Sequence, residues 1–139
     1  MAGCGDGTVR LYDRRLNSND AKVMTYREHN NWIVKARMKA GGAKIVTADA
    51  TGKVKFWNDK SAESLSTLQT MASLTAVDVH DNLDIFAVGS AQQFIGVLTH
   101  EGGVLSTIKY HDGFMGQRIG PISCMSFHPY KVSNIFSYL

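Results

Sequence analysis

With 139 residues, 44% hydrophobic and 19% charged, the chain is long enough for one ordinary domain, too short for two, and too apolar for a disordered tail. Its 15 basic and 12 acidic residues leave a net charge of +3 with the signs interspersed, which excludes the concentrated basic face of a nucleic-acid reader. No run approaches the ~18 apolar residues that span a bilayer, and no basic-then-apolar leader follows Met1. Cys4 and Cys124 stand far apart, with no Cys-x-x-Cys pair and no histidine at metal spacing, which suits a reducing compartment and free buried thiols.

In chain order, residues 2–13 predict the end of one strand, a tight turn at Gly5-Asp6-Gly7 and a second strand, because Asp-Gly tolerates the positive φ of a hairpin turn. A polar connection over residues 14–21 leads to an outer strand, Lys22 to Tyr26. Trp32 to Met38, Lys44 to Ala48, Lys53 to Trp57 and Ser64 to Gln69 then predict four short strands, the first two joined by a turn at Ala40-Gly41-Gly42. Leu74 to His80, Ile85 to Ser90, Phe94 to Thr99 and Val104 to Tyr110 predict four more. A glycine-containing connection spans 111–121, Ile122 to Pro129 begins another set, and Ile135 to Leu139 offers a second strand for it.

Two of these strands are copies. Gly7-Thr-Val-Arg-Leu-Tyr-Asp13 and Gly52-Lys-Val-Lys-Phe-Trp-Asn58 lie 45 residues apart, and Phe94-Ile-Gly-Val-Leu-Thr99 follows as a weaker third. Period-two alternation puts Val9 with Leu11, and Val54 with Phe56, on one face of a strand. A strand unit repeated every ~40–45 residues and closing on a Trp-Asp-like dipeptide resembles the WD40 β-propeller blade. The expected fold is therefore all-β: an incomplete WD40-type propeller of about three four-stranded antiparallel blades, with pieces at 1–29, 30–71, 72–110 and 122–139. A closed propeller has about four to eight blades, so the expectation is a piece of a larger ring whose remaining blades cover its open sides.

The WD40 resemblance implies a buried hydrogen-bond network. His29, Thr47 and Trp57 match its members, and Asp6 matches the turn aspartate in the preceding repeat. Thr51 occupies that turn position in the second repeat, which predicts an incomplete network there. Nothing spaced near His29 supplies a nucleophile or a second base. His80 and His128 are expected to end inner strands at turns, and Cys124 to be a small core residue. No phosphate loop, paired carboxylates or nucleophile elbow is present, so no cofactor and no enzymatic activity are expected. Partner contacts are expected in the loops. Trp32 is either part of the core or an exposed anchor, and Phe114, Met115 and Arg118 either fold back over a blade or await a partner.

Loop and turn residues narrow the resemblance. Tyr110-His-Asp-Gly-Phe-Met-Gly-Gln-Arg-Ile-Gly120, Ile122-Ser-Cys124, Phe127-His-Pro129, Ala2-Gly-Cys-Gly-Asp-Gly7, Asp13-Arg-Arg15 and Val23-Met-Thr-Tyr-Arg-Glu-His29 resemble the C-terminal propeller of the raptor family, over roughly residues 2 to 130. The tail from Lys131 departs from that pattern. The resemblance implies a non-catalytic scaffold in the first TOR kinase complex, with TOR complex subunits and substrates as partners, supporting substrate recruitment and nutrient-responsive growth control. It implies a cytoplasmic location with recruitment to the lysosomal surface, no nucleic acid and no membrane insertion. A competing expectation is a generic WD40 interaction module of a ubiquitin ligase or trafficking coat.

Overall fold

The computed structural model describes residues 1–39, 41–109 and 120–128, together with the backbone of Ile135–Tyr138. Within them the chain forms strands and turns and no helix. β1 (Ala2–Gly3), β2 (Val9–Tyr12) and β3 (Lys22–Tyr26) make a three-stranded sheet, blade 1. β4 (Ile33–Met38), β5 (Lys44–Asp49), β6 (Lys53–Asn58) and β7 (Ser66–Gln69) make a four-stranded sheet, blade 2. β8 (Leu74–Val79), β9 (Ile85–Ser90), β10 (Phe94–Thr99) and β11 (Val104–Lys109) make blade 3. β12 (Cys124–Phe127) pairs with β13 (Ile135–Tyr138) as blade 4. All pairings are antiparallel and join strands adjacent in sequence. This is an incomplete β-propeller.

The sheets stack face to face, and period two decides which neighbour each side chain meets. From β5 and β6, Ile45 and Trp57 pack with Val9 and Tyr26 of blade 1. Their alternates Val46, Ala48, Val54 and Phe56 pack with Leu74, Val77, Val79, Phe86, Val88 and Leu98 of blade 3. Ala76, Ala87, Ile95 and Val97 of blade 3 close in turn on Ile122, Met125 and Phe127 of blade 4. Both faces of a middle blade are thus buried, so its central strands need little surface polarity. Lys55, which sequence alternation places outward, is buried between sheets: its ammonium reaches Glu28 Oε2 at 2.9 Å and Thr67 Oγ1 at 3.0 Å.

The turn linking the two middle strands sits at the same place in each repeat. Gly7, Gly52 and Gln93 occupy it with φ of 83°, 94° and 68°. At Gly52 a side-chain carbon would lie 2.3 Å from Met71 O, so glycine is required there by space as well as by φ.

Several boundaries differ from expectation for local reasons. Trp32 lies just outside β4, its amide turned to Asn31 Oδ1 at 2.8 Å. β7 starts at Ser66 because Ser64 is held by Glu28 through both its amide and its hydroxyl. β8 stops at Val79 because His80 Nδ1 accepts the amides of Asn82 and Leu83, both at 3.1 Å, and so shapes the turn. β12 spans Cys124–Phe127, so the strand begins two residues after Ile122. Cys124 is exposed, which corrects its expected place in the core: in β12 Met125 and Phe127 take the buried side, and alternation turns Cys124 and Ser126 outward. Cys4 is half-buried rather than buried. Ala40, Tyr110, Phe114, Met115, Arg118 and Pro129 lie outside the described residues.

Candidate functional site

The β3–β4 connection delivers His29 into the seam between blades 1 and 2, where β5 and β6 present Thr47, Asp49 and Trp57 on the same side. His29 Nδ1 lies 2.8 Å from Asp49 Oδ2, and its Nε2 lies 2.7 Å from Thr47 Oγ1. The carboxylate fixes the tautomer: Nδ1–H donates to Asp49, and Nε2 accepts the Thr47 hydroxyl. The same hydroxyl oxygen accepts Trp57 Nε1–H at 2.8 Å. Asp49 Oδ1 receives Thr51 N at 2.9 Å, the Thr51 hydroxyl and Lys53 N at 3.2 Å. The carboxylate at the end of β5 therefore belongs to Asp49, and the network expected to be incomplete is closed. Asp49 stands two residues before the Thr51 position, so repeat alignment passes over it, although an aspartate closing an apolar strand just before a Thr-Gly turn is a readable signal.

Asp6 plays a different part. Its Oδ1 takes the amide and hydroxyl of Thr8, at 2.9 and 2.7 Å, which fixes the β1–β2 turn without reaching His29. The hydroxyl of Thr8 is the largest cause holding the Asp6 carboxyl below its usual range.

Burial dominates the electrostatics of the network. The side chains of His29 and Asp49 are each 1% exposed. Burial pushes the His29 pKa down, opposed by its hydrogen bond to Asp49. Burial also works against a charged Asp49, but the hydrogen bonds from Thr51 and His29 outweigh it and leave the carboxyl below its usual range. Both imidazole nitrogens are committed, the ring is closed off from solvent, and Tyr26 packs on Trp57 with ring centroids 4.9 Å apart. This geometry fixes the spacing of two blades and offers no approach for a substrate. At the seam between blades 2 and 3 the positions of the shared hydroxyl and the indole are apolar: Val88 occupies the register of Thr47 and Leu98 that of Trp57. Among the described residues no group of three or more His, Cys, Asp or Glu is placed to hold a metal.

A second polar system runs along the inner strands. Asp78 on β8, 3% exposed, accepts Arg37 Nη1 from β4 at 2.7 Å and the Phe127 amide from β12 at 2.8 Å, so one carboxylate ties three consecutive blades. Arg37 also reaches Asp81, and Lys39 reaches Leu83 O and Asp84, each at 2.8 Å. Blade 2 supplies the cations of this seam and blade 3 the anions. Its partners are 41 to 45 residues apart, so no local sequence signal marks them. The Lys39 hydrogen bond is the main cause of the Asp84 pKa falling to about 2. Beside it, burial and then the charge on Lys39 lower His100 to about 4.

Of the residues expected to meet partners, Trp32 is 60% exposed on the rim between blades 1 and 2. A surface cleft of about 610 Å³, lined by Leu11, Tyr12, Asp13, Arg14, Val23 and Met38 among others, involves no member of the His29 network.

No family model matches the chain. It is 40% identical over 94% of its length to the raptor homologue of Dictyostelium discoideum, and 38% over 94% to regulatory-associated protein of TOR 1 of Arabidopsis thaliana. It is 32% identical over 95% of its length to the target of rapamycin complex 1 subunit mip1 of Schizosaccharomyces pombe. The chain spans 9–10% of the length of these relatives. The crystal structure of Chaetomium thermophilum Raptor superposes on 94% of the chain with a TM-score of 0.82 and 28% identity, the match covering 12% of that structure's chain. A chain of the mitotic checkpoint complex superposes on 97% with a TM-score of 0.76 at 16% identity, covers 40% of that chain, and shows the fold alone.

Proposed function

We propose that this chain, a homologue over nearly its whole length of one segment of raptor proteins, acts as a non-catalytic scaffold element of a TOR complex 1 subunit. The observation that carries the reading is the similarity itself: 32–40% identity across 94–95% of the chain to proteins named as raptor or as TOR complex 1 subunits. The geometry supports it. The buried His29–Asp49 pair is consumed in holding two blades together, and a stack of rigid sheets presents turns as contact surfaces. In this reading the parent protein brings TOR kinase and its substrates together, responds to nutrients in controlling growth, and works in the cytoplasm with recruitment to the lysosomal surface. The test is affinity purification of the full-length parent from its own cells. Stoichiometric recovery of a TOR kinase is expected, and recovery of no such kinase would overturn the reading.

A further inference from the structure

The β2–β3 connection is tied at its base and open above it. Asp13 N donates to Ala21 O at 2.8 Å, which extends the β2–β3 pairing and closes off residues 14–20 as a projecting loop. Every residue of that loop is exposed. Two backbone turn bonds shape it, Leu16 N to Asp13 O at 3.4 Å and Asp20 N to Asn17 O at 3.0 Å. Both lie in exposed backbone, so the loop can straighten while the clamp below it and the sheet stay in place.

The loop reads Arg14-Arg15-Leu16-Asn17-Ser18-Asn19-Asp20. Arg15 stands three places before Ser18 and Arg14 four, and no other arginine of the sequence has a serine or threonine three places on. The Ser18 hydroxyl and the Arg14 guanidinium have no partner among the described residues. Arg15 forks onto Asp13, Nε to Oδ1 at 3.0 Å and Nη2 to Oδ2 at 2.7 Å. Its side chain is 89% exposed, however, and an ion pair in water yields readily to a competing carboxylate. An enzyme that phosphorylates serine must draw the segment into an extended form and choose it by charge. Guanidinium groups at fixed places before the hydroxyl, met by carboxylates of the enzyme, make that choice through paired charge-assisted hydrogen bonds. Hydroxyls packed into the sheets fail the first requirement: Thr47 is wholly buried, and Ser64 is held by Glu28.

We propose that Ser18 is a phosphorylation site for an arginine-directed serine kinase using ATP. Ser18 Oγ bonds to the γ-phosphorus, the bond from that phosphorus to the β–γ bridging oxygen breaks, ADP leaves, and the hydroxyl proton passes to the kinase's base. Over residues 13–20 the charges of Asp13, Arg14, Arg15 and Asp20 cancel beforehand. Phosphoserine adds about −1.5 to −2 at pH 7. Asp13, Arg14 and Arg15 line the surface cleft between blades 1 and 2, so the modification makes one wall of it anionic.

The test is phosphorylation of the folded chain by the catalytic subunit of cyclic-AMP-dependent protein kinase with ATP, the sites being read by mass spectrometry. Ser18 should be the main site, modified within about tenfold of the rate of a free peptide of residues 12–22. Arg15→Ala should lower kcat/KM about tenfold or more, replacing both arginines should lower it further, and Arg15→Lys should lower it less. Ser18→Ala should remove the label, and none of these changes should move the thermal midpoint. Parent protein purified from its own cells with phosphatase inhibitors present should carry phosphate on Ser18. A chain modified only after denaturation, undiminished labelling of the double arginine variant, or a parent without phosphate on Ser18 would overturn the proposal. The site goes beyond the scaffold reading and stands without it, since none of these outcomes bears on whether TOR kinase co-purifies with the parent.

Discussion

Replacing Thr47 by valine keeps the shape of a fully buried side chain and deletes the one oxygen shared by His29 and Trp57. In the variant Trp57 Nε1–H has no acceptor and His29 Nε2 has no donor, in a seam closed to water. Each unsatisfied buried group costs about 1–3 kcal/mol, so Thr47→Val should lose about 2–5 kcal/mol. Thr47→Ser keeps the hydroxyl and removes one methyl, a loss of about 1 kcal/mol. Urea unfolding followed by circular dichroism and tryptophan fluorescence measures both, since Trp57 reports the seam and exposed Trp32 does not. A Thr47→Val protein within about 0.5 kcal/mol of the parent, or a serine variant as unstable as the valine one, would refute the argument that the hydroxyl, rather than the volume of the side chain, holds blades 1 and 2 together.

Asp78→Leu should cost about 1–3 kcal/mol, chiefly by leaving the buried Phe127 amide without its acceptor while Arg37 keeps Asp81, and hydrogen exchange should show Phe127 losing protection. Gly52→Ala should cost more than about 1 kcal/mol, because its φ of 94° and its closeness to Met71 O both oppose a side chain; a thermal melt checks this. Stability should fall with acid in two stages. His29 and His100 have folded pKa values below their unfolded ones, so the unfolded state takes up protons first and stability declines as pH drops below about 6.5. Glu28 and Asp84 are both held at about 2, so their contribution is present above their unfolded values and is lost from about pH 4.5 down to about 2. Urea midpoints measured across pH should therefore flatten in the lower window for Glu28→Gln and Asp84→Asn. Native-state titration with a thiol reagent should modify Cys124 faster than Cys4.

The blades were legible because the middle ones bury alternate residues against two neighbours, which writes period two into the strands, with a turn glycine in the first two repeats. Gly7 and Gly52 mark the turn outright, whereas Gln93 adopts the same left-handed backbone without advertising it. His29, Thr47 and Trp57 were visible as a repeat pattern, but Asp49 was not, since the carboxylate stands two residues ahead of the expected turn position and reaches back along the strand. The Arg37–Asp78 and Lys39–Asp84 contacts were invisible for a different reason: they join equivalent inner edges of successive blades, where only the stacking brings the charges together. Cys124 was misplaced because an apolar neighbourhood in sequence does not say which side of β12 faces blade 3. For Trp32 the sequence is consistent with core or surface, and the start of β4 at Ile33 puts it on the rim.

The central claim is that this segment can stand where a raptor propeller segment stands. The most direct measurement replaces the matching stretch of the Dictyostelium discoideum raptor homologue with this chain and purifies the chimera from cells lacking the native protein. A folded chimera that recovers TOR kinase in the native ratio is the predicted result. A chimera that folds and melts like the native protein yet brings down no kinase would contradict the account.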